Sequence, residues 1–176
     1  LMKERLAAAE GAFPKPPVTT SLPGLRQPLA PGSCLRHPRE TLQILGPMAA
    51  KTLRMAGLEA SHVVSIGIAS EVPWIVPVQK DGSLAADAPG GKSIPQNWGA
   101  PPNHRLPFPQ ANRLSYLGRK YSDHFLSSLP DSLSPRSFWP RVIQLLEEAP
   151  DLATKAEYFI ELGDWLLIDN GNANEE

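Results

Sequence analysis

One cysteine, Cys34, stands in 176 residues, so neither an intramolecular disulfide nor a cysteine-built zinc cage can hold this chain together. A lone thiol points to a reducing compartment and hence to a cytoplasmic protein. Histidine is almost as scarce: His37, His62, His104 and His124. None has a second ligand at helical or hairpin spacing, and neither HExxH nor HxH occurs, so no metal site and no cofactor are expected. No serine sits in a G-x-S-x-G elbow. Apolar runs fall well short of the ~20 residues of a membrane span, and no signal-peptide pattern opens the chain. Charge is sparse too, at 20% of residues with a net of −1, and it forms no basic stripe of the kind a dedicated nucleic-acid binder carries.

The chain is rich in proline, with 20 residues, well above the usual ~5% share. Most of them gather in two stretches. The first, 13–38, fixes φ repeatedly and biases each preceding residue away from helix, which predicts an extended strap. Leu22, Leu25, Leu29 and Leu35 make it too apolar for a free linker. The second, 89–109, predicts a long central loop, and loops of that length inside a domain tend to be functional. Before the first stretch, residues 2–11 have helix-forming composition ending at Gly11.

Between the two stretches, 39–57 reads as helix, with Leu42, Leu45, Ala49, Leu53 and Ala56 near a 3.6 period, Gly46-Pro47 as a kink or break and Gly57 as the stop. Residues 62–69 (HVVSIGIA) are β-branched and short, predicting a strand buried on both faces. Residues 74–79 (WIVPVQ) predict a second strand, at an edge or bulged because Pro77 lacks an N–H, and 84–86 a short third. From 111 the pattern is helical: 111–129 with Leu114, Leu117, Tyr121, Phe125 and Leu129 on one face, then 138–148, then a last helix from 152 to 168. On that last helix Tyr158, Leu162 and Trp165 form an apolar surface beyond what one neighbour needs.

The fold expected is therefore α+β: a small antiparallel sheet plus a C-terminal three-helix bundle, with a proline-rich N-terminal strap and a long central loop. The organisation is an N-terminal helix and strap over 1–38, one globular domain over 39–169 and a flexible acidic tail over 170–176. Charge is uneven along it. Eight basic against four acidic residues stand before position 61, whereas nine carboxylates face only Arg141 and Lys155 after position 140.

Residues 86–93 (ADAPGGKS) match a relaxed phosphate-loop pattern, but that loop needs a helix directly after it so that main-chain N–H groups meet the phosphates. Pro95 forbids one here, so a plain turn is expected. Residues 49–66 have the outline of a helix-turn-helix, whose second helix would have to form from β-branched residues. No motif identifies a family. The wide apolar helix, the acidic last third and the straps together lead to a non-enzymatic interaction or assembly module of a cytoplasmic complex, touching a protein partner or a second copy through Trp98, Phe108, Tyr158, Leu162 and Trp165. The alternatives are a small-ligand-binding domain or enzyme using 89–109 as a lid, with His104 and Arg105 as ligand contacts, and a DNA-associated regulator using the basic N-terminal third.

Overall fold

The computed structural model describes residues 6–70, 73–101, 103–121 and 132–172, the side chains of 154 and 169–172 excepted. The architecture is α+β. Strand β1 (Ile75–Val78) pairs antiparallel with β2 (Tyr158–Glu161), in the register Ile75 with Glu161 through Val78 with Tyr158. Pro77, opposite Phe159, contributes no N–H, but its carbonyl accepts the Ala85 N–H at 3.0 Å. That bond and a single bridge between Val78 and Leu84 stand where the third strand was expected.

Helix α1 (Arg39–Ala56) runs unbroken through Pro47 and stops at Gly57, whose φ of 67° is the left-handed conformation that glycine adopts without a Cβ clash. Helix α2 (Phe108–Tyr121) packs against α3 (Phe138–Glu148). The expected extension of α2 to 129, with Phe125 and Leu129, lies outside the described residues, as do 2–5 and 173–176.

The last expected helix is divided into α4 (Leu152–Lys155), strand β2, and α5 (Leu162–Asn172). The apolar spacing there suits either period. The Tyr158-Phe159-Ile160 run, aromatic and β-branched, pairs with β1 over four positions, where alternate residues exchange main-chain hydrogen bonds. Two further expectations fail. Residues 6–12 hold no helix, and 63–69 are irregular and largely exposed instead of a doubly buried strand. The helix-turn-helix reading fails with the latter, because α1 is followed only by a 3₁₀ turn (Ala60–His62). Residues 170–172, expected in a flexible tail, belong to α5.

Two apolar clusters form the core. One joins β1, Leu84, Ala86 and the α5 residues Leu162, Trp165 and Leu166; the other joins Leu22 and Leu35 to Trp98, with Val18, Leu25 and Leu29 packed around them. Residues 18 and 35 exchange both main-chain hydrogen bonds, at 2.7 and 2.9 Å, which draws the first proline-rich stretch back on itself. Among the described residues no helix is long and apolar enough to cross a membrane.

Candidate functional site

A cleft of about 240 Å³ opens where the 25–35 segment, the 95–105 loop and the end of α3 meet. Trp98 is one wall, Gln96, His104 and Arg105 bring polar groups, and Leu145 and Glu148 come from α3. The volume lies below the 300–1,000 Å³ typical of drug-sized ligands, and the lining is mostly apolar with a few polar groups.

Each wall is held by a specific bond. The Trp98 indole N–H donates to the Lys92 carbonyl at 3.1 Å, and its ring meets the edge of His37 at 5.1 Å between centroids. His104 Nδ1 lies 3.0 Å from the Cys34 nitrogen and 2.9 Å from the Cys34 carbonyl oxygen. Bare, Nδ1 accepts the Cys34 N–H; protonated, it donates to the carbonyl, so either tautomer is anchored. Burial holds the His104 pKa below the ordinary histidine value, with the Arg105 and Arg141 charges adding to the effect and the Cys34 carbonyl opposing it. Burial also pushes the Cys34 thiol up, even as it donates to Asn103 Oδ1 at 3.1 Å.

The two carboxylates ending α3 act in opposite directions. Glu147 ties α3 to α2, accepting from Gln110 at 2.8 Å and pairing with Arg113, and these bonds hold its carboxyl below the usual range. Glu148 reaches the cleft instead, pairing with Arg105 Nη2 at 2.6 Å and accepting from Gln96 at 3.1 Å. A carboxylate in the last turn opposes the helix dipole, and the guanidinium of Arg105 offsets that cost. Arg105 Nε remains buried with no hydrogen-bond partner.

A further group stands on the same stripe of α3. Arg141, Leu145 and Glu148 are spaced by four and three, so they share a helix face. Arg141 is 3% exposed, and its Nε and Nη2 have no hydrogen-bond partner. Burial, then the charge of Arg136, lowers its pKa. Among the described residues no carboxylate pairs with it, and a buried guanidinium left so is costly. Reasoning from the sequence passes over Arg141. The readable signal is its i, i+3 partner Gln144, also buried, which puts two polar groups on the helix's inward side.

The residues expected at a docking surface do not share one. Trp165 (0% exposed) and Leu162 lie inside the first cluster, and Trp98 inside the second. The wide apolar surface of the last helix is an inward one, split between β2 and α5. Tyr158 (51% exposed) and Phe108 are exposed, on different elements. The phosphate-loop string is a closed turn. Gly91, Ser93 and Ile94 N–H groups donate to Ala88, Gly90 and Gly91 carbonyls, and Asn97 Nδ2 bonds the Ala85 and Gly91 carbonyls, so those amides are already used. Gly91 is required, because a Cβ there would collide with the Ala85 carbonyl.

No family model matches the chain. Curated relatives do. A ribulokinase of Geobacillus thermodenitrificans is 25% identical over 156 residues, covering 89% of this chain and 28% of the relative. A ribulokinase of Bacillus licheniformis is 25% identical over 164 residues (93% and 30%), and one of Shouchella clausii 26% identical over 146 residues (83% and 26%). This likeness to enzymes overturns the expected non-enzymatic assembly module, and with it the protein-binding and complex-assembly role. The chain spans between 24% and 30% of the length of the relatives it matches, and the matches cover between 76% and 93% of its own length.

Proposed function

We propose that this chain is a portion of a sugar kinase of the ribulokinase kind, and that it supplies a binding wall for a small polyhydroxylated sugar. The observation that carries the reading is the likeness to ribulokinases along most of the chain, at 22–26% identity. The cleft supports it chemically. An indole face, a neutral imidazole, an amide and a guanidinium with an unpartnered Nε suit hydroxyl and carbonyl oxygens, which need both donors and an apolar face. Arg141 stands behind them on α3, outside the lining, where its charge helps to keep His104 neutral. His104 and Arg105 are thus proposed ligand contacts, with residues 95–105 forming one side of the cleft. The reading includes a cytoplasmic setting, for which the single cysteine argues.

The test is titration of the chain with ribulose, followed by calorimetry and by tryptophan fluorescence. Arg105→Ala removes hydrogen bonds to a charged group, worth about 1.5–3 kcal/mol, so Kd should rise by roughly 10- to 150-fold, whereas Arg141→Met, behind the lining, should leave Kd within about threefold. Binding unaffected by Arg105→Ala would show that the sugar does not use this cleft. No binding of ribulose or related ketoses by the unaltered chain would remove the reading.

A further inference from the structure

A helix and the segment after it are only lightly packed on the molecule: Leu42 of the helix reaches the first cluster, and Arg39 pairs with Asp87. Helix α1 is 18 residues long and contains no buried residue, although its apolar positions follow helical spacing. After it, residues 61–67 are all exposed, with Val64 at 97% and Ile66 at 79%. Among the described residues, 64–69 make no main-chain hydrogen bond. Residues 61–70 carry Val63, Val64, Ile66 and Ile68 with no Asp, Glu, Lys or Arg. Only Ile68 reaches the first cluster, beside Gly163 at the start of α5. Strand-forming composition, bare main chain and exposed branched side chains together describe a strand whose neighbours are missing. Natural edge strands are protected by charges, proline or a bulge, and this segment has none of the first two.

We propose that residues 63–69 form a β-strand by pairing with a strand from the part of a ribulokinase-length polypeptide that this chain does not contain, with α1 covering one face of the resulting sheet. The inference rests on the kinase reading in one respect, the likeness to relatives more than three times as long. A match of 156 residues in a chain of 176 necessarily includes positions 21–156, so α1 and 63–69 both lie within the shared region. The occupant is specified chemically: an apolar, β-branched strand offering unpaired N–H and C=O groups, preceded or followed by a face that accepts Leu45 and Leu53 of α1, whose Leu42 already meets the first cluster.

The experiment grafts residues 61–70 of this chain into the aligned position of the full-length Geobacillus thermodenitrificans ribulokinase and follows amide hydrogen exchange and thermal unfolding. In the 176-residue chain alone, amides 64–69 should exchange within seconds, and Ile66→Lys should move Tm by no more than about 1 °C, as for an exposed site. In the grafted kinase the same amides should be slowed by roughly 100-fold or more, and Ile66→Lys should lower Tm by at least about 5 °C. Ile66→Thr, which keeps β-branching, is the milder variant should the lysine prevent folding, and its effect should be intermediate. Fast exchange in the graft, equal effects of Ile66→Lys in both contexts, or a graft that cannot fold would each overturn the proposal. So would concentration-dependent protection in the isolated chain, which would make a second copy the occupant. None of these readouts depends on sugar binding, so the two proposals fail separately.

Discussion

At the scale of single residues, Trp165 shows how burial reverses a reading. Its indole is fully buried, donates to the Gly82 carbonyl at 3.2 Å and lies beneath the Arg39 guanidinium at 5.8 Å. The side chain therefore joins α5 to the turn after β1 and to the first turn of α1. Trp165→Ala removes the largest fully buried side chain of the described residues and should destabilise the chain by about 3–5 kcal/mol. That is a large share of the ~5–15 kcal/mol stability of a typical domain. Urea unfolding would show it as a fall in the midpoint with m unchanged. An unfolding free energy within about 0.5 kcal/mol of the unaltered chain's would restore Trp165 to the surface.

At the scale of elements, the end of α3 organises its surroundings through two adjacent carboxylates. Glu147 holds α2, whereas Glu148 holds the 95–105 loop through Arg105 and Gln96. Glu148→Gln removes the ion pair but keeps an acceptor. Both partners are partly exposed, so the stability cost should be small, about 1 kcal/mol or less. The effect should appear locally, as faster amide exchange in residues 95–105 with α2 unchanged. Equal loosening of α2 and the loop would show that the two carboxylates are not independent. The helical halves of this arrangement are legible in the sequence, where 111–129 and 138–148 read as amphipathic helices, although α2 begins earlier, at Phe108. The Glu148–Arg105 link spans 43 positions, and no local pattern encodes such a pairing.

At the scale of the whole molecule, pH reports on the packing. Burial lowers the pKa of both His37 and His104 below the ordinary histidine value. For His37 the Asp87 carboxylate, 3.4 Å from Nε2, opposes this, as does Glu40, while Lys92 and Arg39 reinforce it. A histidine with a depressed folded-state pKa binds its proton more readily when unfolded. No penalty applies while both states are neutral, above the unfolded value of about 6.5. Below that pH the unfolded chain takes up protons first, so stability falls until the folded-state pKa is passed. Thermal melts should therefore give a lower Tm at pH 5 than at pH 7.5, and His104→Gln should reduce that difference. A Tm equal at both pH values would mean that neither imidazole is held neutral by the fold.

What residue order alone determined is the helical spacing of α1, α2 and α3, the turn-forming prolines and glycines, the first strand and the mixed α+β class, because these follow from period, φ and propensity within short windows. Only the tertiary structure decided the rest. Residues 158–161 became a strand because β1, 80 positions earlier, offered unpaired main chain; residues 64–69 found no main-chain partner among the described residues. The same holds at the cleft. His104 and Arg105 could be named as polar groups in a long loop, but the burial of Arg141 and the grip of Glu148 arise only where three distant segments exclude water together.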